Sequence, residues 1–599
     1  MKSLGASVHL GATMHEDGTT FRVWAPACRS VEVLVEGRPL ARMSRLDEDV
    51  FELTAPTVRA ATPYLYRLDG ARDRSDPVSR FQPQGVHGPS VVVDPQQFTW
   101  TDQGFRGHSP AELVFYELHV GAFTTAGTFE AVIAHLPALV DLGITAVELM
   151  PVAEFPGSRN WGYDGVHLYA PQSTYGGPRG LRRLVDACHA HGLSVALDVV
   201  YNHLGPEGNY LAEFGPYFTG RHQTPWGPAL NFDGPGSDGV RRHFVDNARY
   251  WVREFHVDAL RLDAVHSIHD TRPVHVLTEV AEAAREEARL LDRPVHIVAE
   301  SHDNDRKLVL PRETGGLGLD AVWSDDFHHA LHAVLTGERG GYYCDFGATA
   351  PLARAIEDGF AFQGEPSHYY GRRRGTASRD LPGECFVICV QNHDQVGNRA
   401  AGDRLSTVVP FEAVKLAAGL MFAVPAIPLL FMGEEYGETA PFQFFTSFLD
   451  RGLAEAVRQG RAGECSRFGW KGTIPDPGAP ATFVRSRLSH ALAGAPRHRE
   501  LREYYRHWLE LRRVHPALGS RHKERATCAI DADGVLTLTR GAPSGGGVRV
   551  VANLTGRRQN LPPVTAGERV VLDSEDPRFG GRVQRPLAPY QLLVYEETA

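Results

Sequence analysis

The fold is decided by the stretch between Leu193 and Glu300, in which three apolar runs are separated by longer amphipathic segments. The runs read "LSVALDVV" (Leu193–Val200), "VDALRLDAV" (Val257–Val265) and "VHIVAE" (Val295–Glu300). Apolar runs that alternate with helical segments are typical of βα units around a parallel sheet. Each run also carries a carboxylate at or near its end, so the same stretch predicts acidic groups at one edge of that sheet.

The alternation continues on both sides of this stretch. Predicted helical segments lie between the predicted strands. One example is "TFEAVIAHLPALVDLG" (Thr128–Gly143). Eight alternations favour a closed (β/α)₈ TIM barrel of the α/β class over an open sheet. The five further predicted strands are Leu113–Val120, Ile144–Pro151, Asp320–Asp325, Cys385–Asp394 and Ile427–Glu435.

Strand-like segments flank the barrel region at both ends of the chain. "FRVWAP" (Phe21–Pro26) and "YLYRL" (Tyr64–Leu68) show the alternation of a half-buried sheet, and residues after about 524 return to it. We therefore predict an N-terminal β-sandwich over residues 1–100, a catalytic barrel over 101–523 and a C-terminal β-sandwich over 524–599.

Three connections in the barrel region are much longer than the usual few residues. They cover residues 201–236, 337–384 and 436–470. Long loops in compact domains are usually functional, and barrel enzymes carry their active sites on the loops that follow the strands. Each aromatic residue in these loops, Trp226, Tyr369 and Tyr370 among them, can either pack within its loop or stack on a sugar, and together they suggest a cleft wall.

Composition excludes several classes of protein. The 599 residues exceed the roughly 250–300 that one hydrophobic core serves, so we expect more than one domain. The formal charge of −10 is modest and mixed in sign, and no apolar run approaches the roughly 20 residues of a membrane-spanning helix, so we predict neither nucleic-acid nor membrane binding. Seven scattered cysteines give no disulfide pattern, and the first residues lack a secretory signal, which together favour a cytoplasmic location.

The predicted strand ends carry the residue types that glycoside hydrolysis requires. Arg261 and Asp263 lie two apart on a strand and so share one face, where the guanidinium favours an ionised carboxylate suited to nucleophilic attack. Glu300 ends an apolar strand, where low solvation and a second acid favour the protonated form of a general acid. Asp394 supplies a third carboxylate that can stabilise positive charge in an oxocarbenium-like transition state.

The segments "DVVYNH", "LRLDAVH", "VAES" and "QNHD" resemble, in order and spacing, the four signature regions of the α-amylase family of glycoside hydrolases. The resemblance covers about residues 110–520. It implies a retaining reaction in which Asp263 is the nucleophile, Glu300 the general acid/base and Asp394 the transition-state stabiliser. It also implies substrate-binding roles for a set of neighbouring residues, which comprises Tyr163, Asp164, Asp198, His203, Arg261, His266, His393 and Gln395.

Longer strings extend the resemblance to the N-terminal region and to a subfamily. "FRVWAPACRSVEVLV" is similar to the N-terminal sandwich of branching enzymes and isoamylases. "YNHLGPEGNYLAEFGPYFT", "WSDDFHHALH" and "QNHDQVGNRAAGDRL" resemble enzymes that act on maltooligosyltrehalose. This implies cleavage of the α-1,4 bond next to the terminal trehalose, with release of trehalose and a maltooligosaccharide. It also implies a maltooligosyltrehalose synthase as the pathway partner that supplies the substrate.

Other activities remain open at this point. A branching enzyme uses the same carboxylates but transfers the glycosyl unit to a sugar hydroxyl, and an α-amylase cuts plain α-glucans internally. A degenerate barrel that only binds glucan is a third alternative, which the complete set of acids disfavours.

The segment "SDDFHH" contains residue types that bind metals. On a predicted strand, adjacent residues point to opposite faces and do not converge on one ion, so we predict no metal site there. Asp325 and Asp326 are predicted instead to hold sugar hydroxyls. The long Asp-rich calcium loop of typical amylases is not recognisable between Asn202 and Gly236, and we predict no required cofactor.

Overall fold

The computed structural model describes residues 9–46, 49–467, 470, 473–542, 546–565, 567–582 and 587–597. Eight parallel strands close into a barrel in which each strand pairs with the next and the last pairs with the first. The predicted (β/α)₈ barrel is therefore confirmed. The strands are β1 (Phe115–Leu118), β2 (Ala146–Leu149), β3 (Ser194–Val199), β4 (Ala259–Leu262), β5 (His296–Glu300), β6 (Ala321–Trp323), β7 (Phe386–Cys389) and β8 (Ile427–Phe431).

The register of the barrel brings functional residues to one level. Asp198 on β3 lies beside Arg261 on β4, and Glu300 on β5 lies beside Trp323 on β6. Parallel strands in register end on the same face, so these side chains are neighbours although up to 125 residues separate them in the chain.

Helices surround the barrel. The segment after β1 was predicted as one helix, but the structure divides it into Phe129–Ile133 and Leu136–Leu142. Pro137 explains the break, because it has no N–H to bond to the carbonyl of Ile133. The other long helices are Gly177–Ala190, Ser237–Phe255, Val276–Leu290, Asp325–Thr336, Phe411–Ala423 and Pro496–Val514. Among the described residues, no helix is long and apolar enough to cross a membrane.

The N-terminal region forms two antiparallel sheets that pack face to face, as Phe21 on Tyr64 illustrates, with ring centroids 4.9 Å apart. Trp24 fixes this sandwich to the barrel domain by an edge-to-face contact with Tyr217. The predicted sandwich also includes residues 1–8, which lie outside the described residues. One sheet contains Gly11–His15, Gly18–Trp24, Ser44–Arg45 and Val50–Ala55, and the other contains Val31–Val35, Arg38–Arg42, Pro63–Leu68, Arg72–Arg74 and Ser90–Val91.

The C-terminal region differs from the predicted sandwich. Its described strands form one five-stranded antiparallel sheet, one face of which packs into the core that it shares with the barrel domain, while the other face packs against Leu561 and Leu587. Phe579 packs on Tyr504, and Lys415 donates to the carbonyl of Ser574. Helices already supply the apolar surface, so a second sheet is not needed there. The strands are Ala526–Ile530, Val535–Gly541, Gly547–Asn553, Glu568–Asp573 and Leu592–Glu597.

The three long connections contain secondary structure of their own. Residues 201–236 hold a short helix and a hairpin, residues 337–384 hold a helix and two short paired strands, and residues 436–470 hold a long helix. Residues 468–469 of the last connection lie outside the described part of the chain. These elements are Leu211–Phe214, Phe218–Thr224, Gly227–Leu230, Ala350–Asp358, Pro366–Ser367, Arg372–Arg373 and Arg451–Arg467.

Candidate active site

Arg261 lies at the centre of the site. Its Nη1 is 2.7 Å from Oδ1 of Asp263 and 2.8 Å from Oδ2 of Asp198, and its Nη2 is 3.9 Å from Oε2 of Glu300. The guanidinium also lies over the ring of Trp323, 4.3 Å from its centre. One buried cation therefore binds two carboxylates directly, at the ends of β3 and β4, and lies within 4 Å of a third carboxyl group at the end of β5.

Asp263 is fixed from a second direction. Nδ2 of Asn202 donates to its Oδ2 at 2.6 Å and to its carbonyl at 2.8 Å. The residue is only 8% exposed, yet both carboxylate oxygens have donors. Donors on both oxygens stabilise the ionised form, which is the form that a nucleophile requires.

Glu300 is in the opposite electrostatic environment. Burial, together with Asp263 and Asp394, outweighs the lowering effect of Arg261 and raises the pKa of its carboxyl to about 8. Its Oε2 accepts the N–H of Ala264 at 2.5 Å. Ala264 is in the left-handed region at φ 41° and ψ 49°, a conformation that costs a non-glycine residue roughly 1–3 kcal/mol. In this conformation the N–H of the residue directly after Asp263 bonds to Glu300.

His393 lies at the centre of a second network of polar contacts, which joins Glu117, Tyr163 and Asp394. Its Nδ1 is 2.5 Å from Oε1 of Glu117, its Nε2 is 2.7 Å from Oη of Tyr163, and the same Nε2 is 3.5 Å from Oδ1 of Asp394. Burial opposes a charged imidazole, but Glu117 and Asp394 outweigh it and raise the pKa of His393 to about 9. The Tyr163 hydroxyl in turn donates to Asp198 at 2.7 Å.

His203 lies at the edge of the same network. Its ring nitrogens contact Oδ1 of Asn202 at 2.6 Å and the carbonyl of Tyr163 at 2.9 Å, and its ring stacks on Trp226 with centroids 4.4 Å apart. We call Tyr163, Asp198, His203, Asp263 and His393 the hydrogen-bonded wall.

Asp164 is beside the site but directed away from its centre. Its half-buried carboxylate accepts from Nδ2 of Asn160 at 2.6 Å, and burial raises its pKa. The structure therefore brings Tyr163 into the network described above, whereas no described contact joins Asp164 to the three acids.

Asp325 and Asp326 have different environments, and the expectation that they lie on a strand is wrong. They are the first two residues of the helix Asp325–Thr336, so consecutive side chains point about 100° apart. Asp325 is half-buried and accepts from Nε2 of Gln395 at 3.3 Å. Burial and the nearby Asp394 raise its pKa to about 7.

Asp326 is completely buried and faces the protein interior. Its Oδ2 accepts from Asn304 at 2.7 Å and from the N–H groups of Ala361 and Phe362, while its Oδ1 pairs with Arg374. Since protein donors satisfy both oxygens, we correct the predicted sugar-binding role of Asp326 to a structural one. Within the described residues, no group of three or more His, Cys, Asp and Glu side chains could hold a metal ion.

A second group of side chains comes partly from the residues that follow Asp263 and Glu300 in the chain. His266, three residues after Asp263, lies against His302, two residues after Glu300, with ring centroids 3.8 Å apart. His302 stacks on Tyr370 at 4.9 Å, and Arg372 fixes this loop to Asp303 at 2.5 Å. We call His266, His302 and Tyr370 the aromatic wall.

Several residues of the site were not singled out from the sequence. Glu117 and Trp323 are inside predicted strands, where an acid or an aromatic residue has many structural explanations. His302 follows Glu300 in "VAESH" and could have been found from that position. Ala264 carries no chemical signal at all, because its role depends on the backbone conformation.

The arrangement supports acid-assisted displacement at a sugar carbon. It places an ionised carboxylate and a protonated carboxyl around one guanidinium, with a third, exposed carboxylate nearby, since the side chain of Asp394 is 41% exposed. A pair of carboxyl groups, one of which gives a proton to the leaving oxygen, is what glycosidases use.

Comparison with known proteins places the chain in a family. The family Alpha amylase, catalytic domain, matches residues 93–223, and Carbohydrate-binding module 48 (Isoamylase N-terminal domain) matches residues 9–94. A crystal structure from Salmonella typhimurium superimposes with a TM-score of 0.91 at 40% identity and covers 98% of this chain and 99% of that one.

Two curated relatives are both named Malto-oligosyltrehalose trehalohydrolase. The protein from Saccharolobus solfataricus is 47% identical over 80% of this chain and 83% of its own length. The protein from Rhizobium sp. is 42% identical over 96% of this chain and 97% of its own length. Identity above 40% over at least four fifths of this chain and of each relative establishes that this chain belongs to the malto-oligosyltrehalose trehalohydrolases, within the α-amylase family of glycoside hydrolases.

Proposed function

We propose that the protein hydrolyses the α-1,4-glucosidic bond next to the terminal trehalose of maltooligosyltrehalose and releases trehalose and a maltooligosaccharide. The observation that carries this proposal is the 42% identity, over 96% of the chain, to a relative that is named for this activity. The site geometry supports the chemistry, and the family supports the substrate.

The proposed reaction is a double displacement. Asp263, held by hydrogen bonds from Arg261 and Asn202, attacks the anomeric carbon as Glu300 gives its proton to the departing trehalose oxygen. The C–O bond breaks, and a covalent glycosyl-enzyme forms. Glu300, now ionised, removes a proton from water, and the water displaces Asp263 with net retention of configuration.

The hydrogen-bonded wall is the proposed binding surface for the sugar that is attacked. Oδ1 of Asp198 is buried and has no hydrogen-bond partner among the described residues, so it is able to accept a sugar hydroxyl. Asp394 is exposed toward the cleft and close to His393, where its charge stabilises the oxocarbenium-like transition state.

The aromatic wall is the proposed binding surface for the leaving trehalose. Two of its rings follow the acids in the chain, His266 after Asp263 and His302 after Glu300, the group that protonates the leaving oxygen. Rings of this kind pack on the apolar faces of sugars. Nδ1 of His266 is also without a partner among the described residues and can bond to a trehalose hydroxyl.

We propose a reducing, cytoplasmic location for the enzyme. All seven cysteines are unpaired, and Cys188, Cys389 and Cys465 are buried thiols. Proteins with this cysteine usage are typical of compartments that keep thiols reduced. The substrate must then come from an enzyme that converts the reducing end of a maltooligosaccharide to trehalose, which is the proposed synthase partner.

The test compares two substrates of the same length, maltotetraosyltrehalose and maltohexaose, with the released sugars followed by chromatography. We expect free trehalose from the first and slow attack on the second. Rapid internal cleavage of maltohexaose would indicate an α-amylase instead, and new α-1,6 branches would indicate a branching enzyme. The Glu300→Gln variant, assayed in parallel, shows that any product comes from this site.

A further inference from the structure

Glu117 is a buried carboxylate that the proposed reaction does not use. It lies on β1, is 1% exposed, and directs both oxygens at one residue. Oε2 accepts the backbone N–H of His393 at 2.9 Å, and Oε1 is 2.5 Å from Nδ1 of the same residue. Glu117 therefore holds His393 by its backbone and its ring.

The hydrogen bonds between Asp198, Tyr163 and His393 determine which ring nitrogen of His393 carries a proton. The Tyr163 hydroxyl has one proton, and Asp198 as a carboxylate can only accept, so that proton is donated to Asp198. Oη of Tyr163 must then accept from Nε2 of His393, 2.7 Å away. With Nε2 protonated, the second ring nitrogen is left to share a proton with Glu117.

We propose that Glu117 is a positioning residue that keeps His393 in its imidazolium form, with Nε2–H directed at Tyr163 and toward Asp394. This rests on the proposed glycosidase function of the site. A neutral His393 with a bare Nε2 would compete with Asp198 for the single proton of Tyr163 and would weaken the hydrogen-bonded wall.

The surroundings of His393 agree with this role. Burial and Arg261 disfavour the cation, whereas Glu117 and Asp394 favour it and raise the pKa of His393 to about 9. His119 gives an internal comparison, since it is equally buried but contacts no carboxylate, and burial lowers its pKa to about 4. The titratable or charged groups around His393 are Glu117, His119, Glu148, Tyr163, Asp198, Arg261 and Asp394.

The test is the pH profile of kcat/KM on maltotetraosyltrehalose for the native enzyme and for Glu117→Gln. In the native enzyme the alkaline limb is expected near pH 8, where Glu300 loses its proton. Without the charge of Glu117, His393 should deprotonate first, and since its protonated form is active, the limb should move down by at least one pH unit. Below that limb, activity should remain within about tenfold of native.

Glu148→Gln is the matched control. Glu148 pairs in register with Glu117, is equally buried, and has no described hydrogen bond to His393, while burial and the neighbouring Glu117 raise its pKa. The alkaline limb of the Glu148→Gln profile should stay at the same pH as in the native enzyme. A Glu117→Gln profile lowered equally at every pH, with the limb unmoved, would show a merely structural role and overturn the proposal.

Two further variants cover the case in which Glu117→Gln does not fold. Glu117→Asp keeps the charge at a longer distance and should shift the limb downward by a smaller amount; an unshifted limb would contradict the proposal. In a His393→Asn background, Glu117→Asp should cause no further shift, because the titrating ring is gone. If the native enzyme cleaves maltohexaose rather than the trehalose-ended substrate, the proposed function fails, and the same profiles on maltohexaose still test Glu117.

Discussion

The two walls of the cleft are built in different ways. The hydrogen-bonded wall is formed mainly by side chains at the ends of barrel strands or directly after them, and most of its polar atoms have partners within 3 Å. The aromatic wall is formed by two turns after β4 and β5 and by Tyr370 from the long connection 337–384, and rings in contact hold it together.

We infer that the hydrogen-bonded wall serves the reaction and that the aromatic wall selects the leaving group. Strand ends are positioned by the barrel register and hold catalytic groups to within tenths of an ångström, as charge stabilisation in a transition state requires. Loops can vary in length and sequence without disturbing the barrel, so they are suited to selecting the leaving group. We expect substitutions in the two walls to differ in both the size and the kind of their effect.

The largest effect is expected from the acids themselves. Asp263→Asn and Glu300→Gln remove the nucleophile and the proton donor without changing the size of either side chain, so trehalose release should fall by at least about 1,000-fold. Circular dichroism and thermal unfolding should stay close to native. Activity near the native level in either folded variant would remove that residue from the mechanism.

The adjacent acids Asp325 and Asp326 give the sharpest test within one helix. Asp325→Asn should lower kcat/KM by about 10- to 100-fold with little loss of stability, because an amide replaces a carboxyl oxygen that can bond to substrate hydroxyls. Asp326→Asn should leave Arg374 buried without its counter-charge and cost about 3–5 kcal/mol of folding stability. Steady-state kinetics and chemical denaturation measure the two effects. Reversed outcomes would contradict our correction of Asp326.

The smallest effect is expected in the aromatic wall. Tyr370→Ala should raise KM for maltotetraosyltrehalose by about 3- to 10-fold, in line with the contribution of one aromatic contact, and leave kcat nearly unchanged. Tyr369→Ala is the control, because that ring lies in the same loop and makes edge-on contacts with Tyr342 and Tyr370. A large fall in kcat for Tyr370→Ala would show that the two walls are not separate in function.

Much of this molecule could be predicted from its sequence. The eight strands follow from apolar runs alternating with helices, since a barrel strand must be apolar to be buried on both faces. Asp198, Arg261, Asp263 and Glu300 could be assigned to one site because parallel strands end on the same face. These inferences need only the local pattern of apolar residues and the rule that parallel strands of a barrel end on the same face.

Other features were decided only by the tertiary structure. Asp325 and Asp326 are adjacent and identical in type, and only the helix geometry and the position of Arg374 direct one to the cleft and the other to the interior. Glu117 gains its significance from His393, 276 residues away. The C-terminal sheet needs no partner sheet because helices of the barrel domain already cover one of its faces. In each case the outcome depends on which distant group occupies the neighbouring volume, and a linear pattern contains no such information.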